Sequence, residues 1–180
     1  MASHFFHYTE IDSTNQQAAR LCAQGHGPWI AVSADVQTRG RGSYGRTWES
    51  PRGGLWMTVV VPPVFIREKT RMYTDYAVCS VHETLRKQIP ELNVTIKAPN
   101  DLLANGRKVC GVLAESAGVG GMMAVGIGLN VNLNPADFPA PLRPAATSLI
   151  METGTEQDIE MLRHAIYRSM VQKFGLYGQD

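Results

Sequence analysis

Between two apolar runs of this sequence lies Gln37-Thr38-Arg39-Gly40-Arg41-Gly42-Ser43-Tyr44-Gly45-Arg46-Thr47-Trp48, a loop dense in glycine and arginine that ends on a tryptophan. Glycine lets a backbone bend sharply and brings its N–H groups close to a ligand, and arginine offers a permanently charged planar fork for carboxylate or phosphate oxygens. The chemistry such a loop suits is closure over an anion, with the Trp48 indole covering an apolar or aromatic part of the same molecule. Three further segments carry groups of the same kind: the polar Asp12-Ser13-Thr14-Asn15, the turn Lys97-Ala98-Pro99-Asn100-Asp101, and the run 106–115, in which Lys108 enters an apolar strand ahead of Gly111. Taken singly, each has a plain structural reading: a helix cap, a strand-ending turn, and an edge lysine with its ammonium in water.

The elements that must position these groups follow from periodicity. Residues 5–11 read as a strand, and Ser13 with Gln16 and Thr14 with Gln17 form two overlapping capping-box patterns that start a helix ending before Gly25. Strands at 29–36 and 55–61 flank the glycine-arginine loop, the second stopped by Pro62-Pro63. Tyr73, Ala77, Val78, Val81 and Leu85 place one apolar stripe on a helix from about Glu68 to Lys87, with Pro90 beyond it. Residues 94–97 are strand-like, and Asn105-Gly106 between 102–103 and 109–114 is a type I′ hairpin signal. After a turn at 118–121, residues 122–131 form another strand and prolines punctuate a loop over 135–144. Ile159, Leu162, Ile166, Met170 and Phe174 then trace a last amphipathic helix. This order predicts an α+β fold, with helices on one face of the sheet and no regular βαβ series.

Gly40 to Gly45 satisfies the letters GxGxxG, but a valine-rich strand follows where a dinucleotide fingerprint opens a helix. No HRD, DFG or GxxxxGK[ST] supports a kinase or a P-loop. Read in order, Ser13-Thr14-Asn15, the run 37–56, Lys97 to Asp101, Lys108 to Glu115 and Gly126-Ile127-Gly128-Leu129-Asn130-Val131 resemble the catalytic domain of biotin protein ligases. That family's patterns are STN, QTxGRGRxGRxWxSPxGGLW, KWPND, KxxG[IV]LxE and GIGxN[VL]. Five motifs agreeing in order are far more specific than one glycine pattern, and together they cover nearly the whole chain.

The resemblance implies a mixed β-sheet flanked by helices, similar to class II aminoacyl-tRNA synthetases and biotin synthetase. It also implies activation of biotin by ATP with Mg²⁺ to biotinyl-5′-adenylate and transfer to a lysine of the carboxyl carrier domain of a biotin-dependent carboxylase. On that basis Lys108, Arg41, Arg46 and Lys97 are the catalytic candidates. Ser13, Thr14, Asn15, Gln37, Gly40, Arg41, Gly42, Ser43, Lys108 and Gly111 are expected at biotin, and Arg46, Trp48, Lys97, Asn100, Asp101 and Asn130 at the nucleotide. No protein-held metal is expected. Two departures stand out: Ser43 takes the place of the family's third loop arginine, and Ala98 replaces the tryptophan of KWPND. The closest rival is a lipoate or octanoate ligase or transferase of the same superfamily. A non-catalytic biotin- or adenylate-binding domain and an Arg-Gly RNA-binding module are further alternatives.

Length and charge bound the rest. The 180 residues fit one domain, 1–180. No apolar run nears the ~20 residues of a membrane-spanning helix. The N-terminus lacks the charged and apolar regions of a secretion signal, and the three cysteines, Cys22, Cys79 and Cys110, form no CxxC pair, so a cytoplasmic setting is expected. Cys22 with His26 and Cys79 with His82 lack zinc-finger spacing. A formal net charge of +1 excludes a polybasic nucleic-acid surface. The expectation is a monomer or homodimer, without an N-terminal DNA-binding module or a C-terminal SH3-like barrel, and so not a repressor.

Overall fold

The computed structural model describes residues 5–63 and 70–175. Seven strands form one sheet in the order β1-β2-β3-β7-β6-β5-β4. They are β1 (Phe5–Ile11), β2 (Ala31–Gln37), β3 (Leu55–Val61), β4 (Val94–Lys97), β5 (Asp101–Ala104), β6 (Arg107–Ser116) and β7 (Met123–Leu129). β1 and β2 run parallel across α1 (Thr14–Ala23), and every other pairing is antiparallel. The sheet is therefore mixed, with one βαβ unit at its start.

Side chains of a strand alternate between faces, and β3 is buried on both. Leu55, Met57, Val59 and Val61 join the main core, where α2 (Thr70–Gln88) and α4 (Ile159–Gly175) pack through Tyr73, Ala77, Val78, Val81, Leu85, Leu162, Ile166, Met170 and Phe174. Each Val, Leu, Ile, Met or Phe among them, fully withdrawn from water, stabilises the fold by roughly 1.5–3 kcal/mol. Val60, on the opposite face, meets Ala18, Leu21 and Cys22 of α1. The helices thus lie on both faces of the sheet and not on one, because β3, too apolar to leave a face wet, needs α1 beneath it.

The other elements stand close to their sequence signals. Asn105 and Gly106 adopt φ of 48° and 82° and join β5 to β6, as a type I′ turn requires. The expected start of the second helix at Glu68 lies outside the described residues, and that helix ends at Gln88, just before Pro90. Unforeseen is α3 (Leu149–Thr153), five residues capped by the Ser148 hydroxyl, which accepts from the Met151 N–H at 3.3 Å, and closed by Gly154 at φ 70°. It is too short to show a period.

Candidate active site

The face of the sheet that carries α1 continues past that helix into an open floor. There β6 and β7 set Gly111 opposite Gly128 and Leu113 opposite Gly126. Glycine at these places is a matter of space. A Cβ on Gly128 would stand 2.5 Å from Trp48 Nε1, one on Gly111 2.8 Å from the Trp48 ring, and one on Gly126 2.3 Å from Asn15 Oδ1. The Trp48 ring lies flat against a floor stripped of side chains.

Lys108 reaches this floor through an irregularity. In a regular strand a residue three before Gly111 points to the other face. Between Leu102 and Leu103 the register with β5 slips: Leu102 pairs with Cys110 but Leu103 with Lys108, so Val109 is the extra residue of a β-bulge. Lys108 consequently joins Gly111 and Leu113 in lining the cavity, while Val109 and Cys110 turn to the core. Its ammonium is 2.7 Å from Asp101 Oδ1 and 5.0 Å from the centroid of the Trp48 ring, a charge pair and a cation–π contact together. Its backbone is clamped by the chain after the proline loop, its N–H donating to Ala145 and its C=O accepting from Thr147.

The start of α1 forms the polar end. Ser13 is the N-cap residue, yet its hydroxyl caps nothing, contrary to the capping-box expectation. Gln37 does that work from β2, its Oε1 accepting from the Thr14 N–H at 2.8 Å and the Thr14 hydroxyl at 3.0 Å. Gln37 Nε2 in turn donates to Ser50 at 2.8 Å, which ties the far end of the loop to the helix. The side chain free of capping, Ser13, lines the cavity beside Thr14, Asn15 and Gln37. Fully buried Thr58 places its hydroxyl 2.8 Å from the Thr14 hydroxyl and 2.6 Å from Asn15 Oδ1. Asn15 Nδ2 donates to Glu115 at 2.9 Å. Just outside, the Arg20 guanidinium grips Asp12 and holds its carboxyl below the usual carboxylate range.

The glycine-arginine loop forms a flap over this floor. Gly40 is buried where a Cβ would lie 2.2 Å from the Trp48 carbonyl, so only glycine lets the two arms of the flap approach. Arg41 pairs with Thr47 across the arms, the Gly42 N–H donates to the Arg46 carbonyl at 2.7 Å, and Tyr44 stands at the tip at φ 61°, 91% exposed. Ser43 accepts from Asn100 Nδ2 at 3.0 Å and Arg41 meets Glu115 at 2.9 Å. Among the described residues the buried Trp48 N–H finds no hydrogen-bond partner.

At the other end Asn130, 4% exposed, donates to the Thr147 carbonyl at 2.9 Å, and Phe138, Leu142, Ala145 and Ala146 make an apolar wall. Behind it Glu152 accepts from Asn105, Arg107 and Thr147. Burial works to raise its carboxyl, but those hydrogen bonds and the Arg107 charge outweigh it and hold the group below the usual range.

The cavity, about 270 Å³, thus gathers Ser13, Thr14, Asn15, Gln37, Arg41, Gly42, Ser43, Arg46, Trp48, Asn100, Lys108, Gly111 and Asn130. Gly40 sits where the two arms of the flap meet, and Asp101 behind the Lys108 ammonium. Lys97 is not brought in: it ends β4, the edge strand, and is exposed. Gly126, Gly128, Thr58 and Glu115 were not singled out by residue type. Glycines two apart in an apolar strand, 126 and 128, were the available sign that one face is kept clear. Burial raises the thiols of Cys22 and Cys110, that of Cys110 to about 12, so neither is a ready nucleophile. Among the described residues no group of three or more His, Cys, Asp or Glu could hold a metal, and no helix is long and apolar enough to cross a membrane.

Comparison with known proteins bears on this arrangement. Residues 8–132 match the Biotin/lipoate A/B protein ligase family. Over 162 residues, 88% of this chain, it is 35% identical to the Bifunctional ligase/repressor BirA of Bacillus subtilis, of which it covers 50%. It is 36% identical over 170 residues to the Biotin--[acetyl-CoA-carboxylase] ligase of Paracoccus denitrificans, covering 89% of this chain and 70% of that one. The chain therefore spans about half the length of the first of these curated relatives. Among solved structures, the biotin protein ligase of Aquifex aeolicus in complex with biotin and ATP superposes with a TM-score of 0.85 at 28% identity, over 98% of this chain and 72% of that one. The Leishmania major biotin protein ligase in complex with biotinyl-5-AMP gives 0.78 at 27%, over 99% and 78%.

Proposed function

The chain belongs to the Biotin/lipoate A/B protein ligase family, and from that premise we propose that it is an ATP-dependent biotin protein ligase. The observation that carries the reading is convergence: residues from all five motifs, separated by more than a hundred positions, line or support one cavity with a polar end, a cationic middle and an apolar far wall.

In the first half-reaction a biotin carboxylate oxygen attacks the α-phosphorus of ATP. A carboxyl–phosphate anhydride bond forms, the bond to the bridging oxygen breaks, and pyrophosphate leaves. Two anions must approach, so cations held in place supply most of the catalysis. Lys108, fixed by the bulge and by Asp101, stands where it can meet both, with Arg41 and Arg46 of the flap around it. Ser13, Thr14, Asn15 and Gln37 suit the ureido end of biotin, and the cavity beside Leu113 and Gly126 suits its ring and tail, next to the Trp48 ring that covers Gly111 and Gly128. Trp48, with its unpartnered N–H, and Asn100 and Asn130 suit the nucleotide. Mg²⁺ would arrive coordinated to the triphosphate. In the second half-reaction a lysine amine of a carboxyl carrier domain attacks the carbonyl, an amide forms and AMP leaves. Until then the flap keeps water off the anhydride. The setting proposed is the cytoplasm, with the protein a monomer or homodimer.

Incubation with ATP, Mg²⁺ and either biotin or lipoate, following pyrophosphate and adenylate, tests the reading. Biotin-dependent adenylate is expected. A response to lipoate alone moves the chain to the other branch of its family, and binding of biotin without adenylate leaves it a non-catalytic domain.

A further inference from the structure

Among the described residues, polar side-chain contacts tie residues 41–47 of the flap to the body at two points: Asn100 to Ser43, and Glu115 to Arg41. The second has the firmer anchor. One Glu115 oxygen is 2.9 Å from Arg41 Nη2, while the other accepts from Asn15 Nδ2 at 2.9 Å. Asn15 is itself held by the hydroxyl of Thr58, which is wholly buried. A single carboxylate on β6 thus joins an exposed arginine of the flap to the rigid first turn of α1. Such a bridge settles part of the ordering of the flap before any ligand arrives.

We propose that Glu115 is a positioning residue, the latch that holds the flap down through Arg41. The consequence for an adenylate rests on the ligase reading above; the latch itself does not. Glu115 is not among the side chains that line the cavity. It sets where the Arg41 guanidinium waits, and it joins the polar end of the site to the flap, so that displacement of either is felt by the other.

Chymotrypsin offers a direct readout, because Tyr44 stands at the flap tip with its side chain in water. In ligand-free protein, E115Q and R41Q should each speed cleavage after Tyr44 by about two- to five-fold, the range expected for a half-exposed ion pair. The double variant should go no further than either alone. E115Q keeps an oxygen for Asn15, so it separates loss of the pair from loss of the fold. If labelled biotinyl-adenylate forms, its escape should quicken by the same factor in E115Q. Cleavage unchanged in E115Q, or effects of the two variants that multiply, overturns the latch. A wild-type protein that makes no adenylate counts against the ligase reading, and the latch is then decided by the cleavage rates alone.

Discussion

Lys108 and Asp101 stand ammonium to carboxylate, 2.7 Å apart on neighbouring strands, because a one-residue bulge at Val109 turns Lys108 out of the core face. The pair holds the lysine aimed along the floor toward Trp48, and with 31% of its side chain exposed it remains open to a ligand. An anion entering the cavity would find the ammonium already oriented.

The first prediction concerns that charge. Lys108→Ala should lower the rate of adenylation by about 10²–10³-fold, the loss typical of one preorganised donor at a developing charge. The thermal midpoint should fall only by what the pairing with Asp101 is worth, since the side chain contributes little to the core. Pyrophosphate release read beside a melting curve checks both, and undiminished turnover removes Lys108 from its role.

A second prediction follows from the flap. Ser43, which accepts from Asn100, stands where the family pattern has an arginine. Ser43→Arg adds a planar cation at the mouth and should slow escape of biotinyl-adenylate. Rapid filtration of preformed intermediate measures it; equal release from both proteins rejects the idea.

Much of this was legible in the sequence and some was not, for physical reasons. The Asn105-Gly106 turn and the stripe from Tyr73 to Leu85 are local signals, written within a few residues, and both stand as read. The face on which Lys108 lies is not local: alternation from Gly111 points it the wrong way, and only the pairing with β5 shows the bulge. The cap of α1 was misassigned for the same reason, since Gln37 competes from 23 residues away with the nearby Ser13. The placing of α1 opposite α2 and α4 follows from β3 being buried on both faces, which its apolar run, interrupted by Thr58 alone, hinted at without saying which helix covers which side. The wall at 138–146 falls in proline-rich text with no period to read.

A third prediction uses Glu152, whose carboxyl is held low by Thr147, Asn105 and Arg107. A group with a depressed folded value contributes stability that is fully present above its unfolded value of about 4.3 and is lost as pH falls through its folded value. Wild type should therefore lose more of its thermal midpoint than Glu152→Gln as pH falls from about 6 to about 3. At neutral pH the variant should be less stable by about 1–3 kcal/mol, the cost of leaving buried donors poorly matched. Parallel curves for the two proteins across that window would refute it.

The last prediction tests whether the polar end is built from beneath. Thr58 is wholly buried, and its hydroxyl stands within hydrogen-bonding distance of Thr14 and Asn15, the two residues that with Gln37 suit the ureido group. Thr58→Val keeps the shape and removes only the hydroxyl, which leaves Asn15 Oδ1 short of a donor and free to turn. Stability should fall by about 1–3 kcal/mol. Because Asn15 also holds Glu115, the disturbance should reach the ligand: biotin should bind several-fold more weakly by calorimetry, while ATP affinity, proposed to be set at the Trp48 and Asn130 end, should stay near wild type. Equal weakening of both ligands would show instead that the valine has loosened the whole sheet, and the polar end would then have no special dependence on Thr58.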